Sequence, residues 1–121
     1  MNKPQTKLER ERRRSREIFE RAEKVLVGGV NSPVRAFRSV GGEPLIIERG
    51  SGQHLYDADG NELLDYVCSW GAVILGHGNT TIAEAVADQA RKGTSFGVTT
   101  GLELELATLI TRAIPTIEKI R

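Results

Sequence analysis

Residues 55–67 read LYDADGNELLDYV, two short apolar runs on either side of DADGN at 57–61. Asp side chains fold back onto nearby backbone N–H groups, and Gly60 and Asn61 tolerate positive φ, so these five residues predict a tight hairpin turn. The flanking runs, 53–56 and 62–66, then read as paired strands. Upstream, 45–48 follows Gly41 and Gly42 and supplies a third strand, which makes a small antiparallel meander. Asp57, Asp59 and Asn61 also imitate the start of a calcium loop. A calcium loop needs glycine at its sixth position and a bidentate glutamate at its twelfth, where this chain has Glu62 and Cys68, so the turn reads as structural.

Beyond the meander, residues 67–79 read VCSWGAVILGHGN, apolar, glycine-rich and holding the sole tryptophan, Trp70. Such a segment suits a pocket wall, because an indole covers an apolar ligand face and still donates a hydrogen bond; the plainer reading of a lone tryptophan is core. His77 has no second histidine near it in sequence other than His54. Neither a metal site nor a catalytic pair is supported, and a capping or backbone-bonded histidine is expected. Two helices follow, 81–92 with Ile82, Ala85, Val86 and Ala90 inward, and 102–113 with Leu102, Leu106, Leu109 and Ile110 inward. Asn79 or Thr80 caps the first and Gly93 ends it; Thr100 and Glu103 form a capping box for the second, and Pro115 stops it. The link between them, GTSFGVTTG at 93–101, carries hydroxyls able to line a polar pocket, but it lacks the spacing of a nucleotide loop and reads as a connector.

On the N-terminal side lies GGVNSPVRAF at 28–37, a glycine-led loop with one charged residue, Arg35. Pro33 fixes its own φ and drives Ser32 toward extended backbone, so the loop is stiff. A guanidinium presents a planar fork that matches a carboxylate or phosphate, which makes Arg35 a candidate clamp for a small acidic substrate; the plain alternative is a surface arginine after a turn. Residues 7–26 predict a helix that is polar in its first half and carries Ile18, Phe19, Ala22, Val25 and Leu26 on one face, so that only its second half packs. The run RERRRSR at 10–16 is diluted by glutamates and lacks interleaved aromatics, which favours a solvated face over a nucleic-acid surface.

With 121 residues, 39% hydrophobic and a formal charge of +1, the chain has the makeup of one ordinary soluble domain with no broadly basic surface. Cys68 is the only cysteine, which excludes an internal disulfide and fits a reducing cytoplasm, with the thiol read as a small buried hydrophobe. No apolar run approaches a bilayer span and no signal peptide is expected, so neither membrane nor nucleic acid is an expected partner. The expected organisation is an N-terminal helix at 1–27, a loop and small sheet with the pocket-wall segment at 28–77, and helices at 78–121.

Taken together, GGVNSPVRAF, LYDADGNELLDYV, SWGAVILGHG and TSFG resemble, in order and spacing, the N-terminal part of the glutamate-1-semialdehyde 2,1-aminomutase family, within the class III pyridoxal phosphate aminotransferases. The resemblance runs from about Ser15 to Arg121, and the NSPVRAF block points to the aminomutases over their class III relatives. Val27, Asn79, Thr80 and Thr99 depart from the usual pattern. The resemblance implies an α/β fold, the beginning of a fold-type I pyridoxal phosphate transferase, α+β in this piece: an N-terminal helix, the antiparallel meander and the first helices of an incomplete large domain. It implies an isomerase that moves an amino group within glutamate-1-semialdehyde to give 5-aminolevulinate for tetrapyrrole synthesis, with pyridoxal 5'-phosphate as electron sink. It further implies a cytoplasmic homodimer in which Arg35 pairs with the substrate carboxylate, Ser32 lies beside it and Trp70 walls the substrate side. The family's phosphate-binding turn and its cofactor-bonding lysine fall after the position of Arg121, so the piece is expected to be inactive alone, to retain no cofactor and to be marginally stable. Two other readings stay open: a related class III aminotransferase, and a non-enzymatic remnant that binds small acids or a partner chain.

Overall fold

The meander forms as a three-stranded antiparallel sheet, β1 (Ile47–Ser51), β2 (His54–Asp57) and β3 (Glu62–Leu64), in the computed structural model, which describes residues 12–121. Each strand is offset from its expected span. β1 runs on to Ser51 and carries a bulge between Ile47 and Arg49, opposite Asp57 and Tyr56. The bulged residue, Glu48, pairs with Arg14 at 2.6 Å, so the irregularity gives β1 a charged hold on the preceding helix. Arg49 stacks on its cross-strand partner Tyr56, 3.4 Å from the ring centroid. β3 stops at Leu64 instead of reaching Tyr66, because Asp65 turns its carboxylate onto the N–H groups of Val67 and Cys68.

The DADGN turn closes as expected, with one difference. Asp57 Oδ1 accepts from the N–H of Asp59 at 3.0 Å and of Asn61 at 2.8 Å, and its Oδ2 accepts from the Asn61 side chain. Gly60 takes φ +85°, whereas Asn61 does not enter the positive-φ region and acts through its amide. Asp57 is thereby buried with its oxygens occupied.

The helix α1 (Arg13–Glu23) is shorter than the expected 7–26. Residues 7–11 of that span lie outside the described residues, and at the other end the helix gives way after Lys24, before the glycines. Its polar first half is held, contrary to expectation. Arg12 donates to the carbonyls of Glu43 and Pro44, Arg16 pairs with Glu43 at 2.9 Å, and Asp59 from the hairpin turn accepts from the N–H of Arg14 and Ser15. The Asp59 carboxylate thus serves as an N-cap supplied from elsewhere in the chain, an arrangement that local sequence does not reveal. Lower on the helix, Phe19 lies against Gly29, but Val25 is exposed where the sequence placed it on the packing face.

Burial among the described residues is confined to Ser15, Gly29, Pro44, Asp57 and Ala58. The chain divides into two compact units, one ending at Ala83 and the other spanning Glu84–Arg121. The helices α2 (Thr80–Lys92) and α3 (Gly101–Ala113) appear close to their expected spans. Asn79 caps α2 through its side chain to the N–H of Ile82, and Gly93 ends it at φ +117°. Thr100 occupies the N-cap position of α3 without a side-chain bond, so the capping box is not made. The residues expected to face inward are largely uncovered: Ile82, Val86, Leu102, Leu106 and Leu109 are all exposed. Amphipathic spacing says that a helix face needs a partner, not that the same stretch of chain supplies one.

Candidate functional site

Arg35 sits on a single 3-10 turn, Pro33–Ala36, that Pro33 opens at its first position. Ser32 is extended, at φ −143° and ψ 128°, as the residue before a proline must be, and its carbonyl accepts from the Arg35 N–H at 2.9 Å. The turn is closed by Phe37 in the left-handed region, φ 57°, whose carbonyl accepts from Val40 and Gly41. The Arg35 side chain is exposed and makes no ion pair with any described acidic residue, while Ser32 is half-buried beside it. Arg38, one turn further on, lays its guanidinium over Gly28, within 3.0 Å of where a Cβ would stand. This second cation at the glycine loop was not singled out from the sequence; its spacing of three from Arg35 was the available signal.

Trp70 lies on a second turn, Cys68–Gly71, in which Cys68, Ser69 and Trp70 all hold positive φ, at 49°, 50° and 61°. Three successive non-glycine residues in this region are costly, and such strain persists only where surrounding contacts impose it. Here Asp65 makes such contacts. Its Oδ1 accepts from the N–H of Val67 at 2.8 Å and of Cys68 at 3.0 Å, and its Oδ2 meets His77 Nε2 at 2.6 Å. Hydrogen bonding from His77, then from the Cys68 and Val67 backbone, holds the Asp65 carboxyl below the usual carboxylate range. One expectation is extended at this segment and two are corrected. His77 bonds to a carboxylate side chain as well as through its backbone, Cys68 is exposed and not buried, and Trp70, 74% exposed, is not core. The physical reason for the last two is shared: the left-handed turn swings the side chains of 68–70 outward, and the sequence shows nothing of that torsion.

An open cleft of about 310 Å³ beside this turn is lined by Asp65, Cys68, Ile74, Leu75 and His77. No hydrogen bond or ion pair among the described residues joins Arg35 or Ser32 to Trp70; the structure brings Ser32 and Arg35 together and leaves Trp70 on its own turn. In the second unit, the link between α2 and α3 does line a cleft, of about 610 Å³, with Gln89, Thr94, Ser95, Thr99, Thr100 and Glu103 around it. No group of three or more metal-ligating side chains occurs among the described residues.

The profile of the family described as Aminotransferase class-III matches residues 37–121. A glutamate-1-semialdehyde 2,1-aminomutase from Syntrophomonas wolfei is 55% identical over 108 residues, which is 89% of this chain and 25% of that protein. The chain therefore spans about a quarter of the length of such relatives. Among solved structures, an omega-transaminase from Sphaerobacter thermophilus superposes with a TM-score of 0.77 at 38% identity, over 86% of this chain and 23% of its own. A transaminase with PLP bound gives 0.73 at 33% identity, over 82% of this chain and 23% of its own.

Proposed function

The chain belongs to the class III aminotransferase family, and from that premise we propose that it is the N-terminal, substrate-facing part of a glutamate-1-semialdehyde 2,1-aminomutase. The observation that carries the reading is the 55% identity to an aminomutase over 89% of the chain. An exposed guanidinium that pairs with no described acidic residue, carried on a turn whose backbone Pro33 stiffens, is free to receive a carboxylate. In this reading Arg35 binds the carboxylate of glutamate-1-semialdehyde, the neighbouring Ser32 hydroxyl adds a hydrogen bond, and Trp70 lies along the substrate's apolar flank. The assembly that carries out the reaction is a cytoplasmic homodimer.

Pyridoxal phosphate is the cofactor of this reading, and when bound it withdraws electrons from the carbon that carries the amino group. The described residues do not by themselves fit it. Lys24, Lys92 and Lys119 are all exposed, whereas a lysine that bonds the cofactor aldehyde is desolvated so that its amine is neutral. In this reading none of these described lysines bonds the cofactor, and the 121-residue chain alone is expected to retain no pyridoxal phosphate after dialysis.

The test is turnover by a polypeptide that carries this segment at its N-terminus. Intramolecular transfer needs no external amino acceptor, so 5-aminolevulinate should form from glutamate-1-semialdehyde alone. Strict dependence on an added oxo acid would reassign the chain to an ordinary class III aminotransferase. Arg35→Ala should lower kcat/KM by a factor equivalent to about 2–5 kcal/mol, the size of a lost charge-assisted pair. Unchanged kinetics would remove Arg35 from the site.

A further inference from the structure

Residues 66–76 form a closed loop whose two ends are fastened to one place, the tip of the β1–β2 hairpin. At the entry, the Asp65 N–H donates to the Gln53 carbonyl at 2.8 Å. At the exit, His77 and Gly52 exchange two backbone hydrogen bonds, at 2.8 and 2.9 Å. The backbone is pressed close here, since a Cβ on Gly76 would stand 2.9 Å from the Gly52 carbonyl oxygen. Between these anchors the loop presents Tyr66, Val67, Trp70, Ile74 and Leu75 outward. Loops of this length with adjoining ends pack on themselves and are often functional. What fixes the internal shape of this one is not its apolar content, which faces away, but the Asp65 carboxylate that touches both ends.

We propose that Asp65 and His77 are a positioning pair that locks the 66–76 loop, and with it Trp70, in the left-handed turn. Both Asp65 oxygens are engaged, one by the two N–H groups that begin the turn and the other by the imidazole that ends the loop. The imidazole has a seat of its own: it lies on the face of Gly50 in β1, where an added Cβ would come within 2.5 Å of the ring. Gly50 is not a positive-φ residue, so this close approach, and not backbone freedom, is what the position requires. Closing the loop through charge-assisted bonds offsets the cost of three left-handed residues. The geometry requires no ligand. That the held indole faces substrate rests on the function proposed above, and the test below is independent of it.

Trp70 is the only tryptophan, so its indole reports on the loop without labelling. Backbone and indole amide relaxation, with hydrogen exchange, should be measured on the full 121-residue chain. In the wild type, the Val67 and Cys68 amides should be protected and the Trp70 backbone as ordered as that of Leu55 and Tyr56. In Asp65→Ala, exchange at Val67 and Cys68 should accelerate by about ten- to a hundredfold, the size of one or two charge-assisted bonds, with Trp70 becoming mobile while β2 is unchanged. His77→Gln, whose amide can donate to Asp65, should retain more order at Trp70 than His77→Ala. Equal order at Trp70 in wild type and Asp65→Ala would overturn the proposal. So would a wild-type loop already more mobile than β2, a result that stands even if a variant fails to fold. If the loop behaves as stated but turnover by the longer polypeptide depends strictly on an added oxo acid, the pair survives and the functional reading falls.

Discussion

Gly29 shows how sharply a single position can be constrained in a chain with little core. Its φ is +72°, and a Cβ there would stand 2.4 Å from the Phe19 ring. Gly29→Ala therefore combines a left-handed penalty with overpacking against α1, about 2–4 kcal/mol together, whereas Gly42→Ala, with open space around it, carries only the first. Urea denaturation of the two variants should rank them in that order, and equal midpoints would remove the Phe19 contact from the account. Asp65 gives a prediction in pH. Its folded pKa is lowered by His77 and by the Cys68 and Val67 N–H groups, so its contribution is fully present above the ordinary carboxylate value of about 3.9 and is lost as pH falls through the lower folded value. Trp70 emission should show a step below the ordinary carboxylate range, and in Asp65→Asn that acid step should be absent. The turn residues Asp57 and Gly60 were legible in the sequence because their chemistry acts over four residues. Asp65 was not, because its partner His77 is twelve residues away.

Among the elements, α1 owes its place to charged contacts more than to apolar ones. Asp59 caps it from the hairpin turn, and although partial burial of that carboxyl acts to raise its pKa, donors on Ser15 and Arg14 outweigh it and hold it low. Asp59→Ala should cost about 0.5–2 kcal/mol, the range for a lost N-cap, with the loss appearing first as faster amide exchange at Arg14 and Ser15. Protection unchanged at those two amides would show the cap to be dispensable. The helices and strands themselves were readable from periodicity and turn residues, with ends displaced by a few positions. Where the strands stopped or bent was decided by side chains: Asp65 ended β3 by bonding N–H groups two and three residues on, and Glu48, drawn across the chain toward Arg14, put the bulge in β1.

At the scale of the whole molecule, apolar faces outnumber the surfaces that cover them. Val86, Leu102, Leu106 and Leu109 carry the spacing of buried helix faces and are exposed, as are Ile74, Leu75 and Trp70 on the clamped loop. Large apolar side chains left exposed in this number mark an interaction face or a liability to associate. The isolated chain should bind a hydrophobic dye such as ANS at neutral pH, unfold over a broad range and self-associate as its concentration rises, as checked by fluorescence and sedimentation velocity. A sharp two-state melt from a dye-silent monomer would contradict this. By itself the sequence determined the element types, the DADGN turn, the proline-stiffened Arg35 loop and the family, since each depends on contacts between near neighbours or on a motif's order. Only the tertiary structure decided that Trp70 faces outward, that Asp65 and His77 close a loop on the hairpin tip and that Asp59 caps α1. Those outcomes depend on backbone torsions and on residues tens of positions apart meeting in space, and no local pattern encodes which distant carboxylate will arrive.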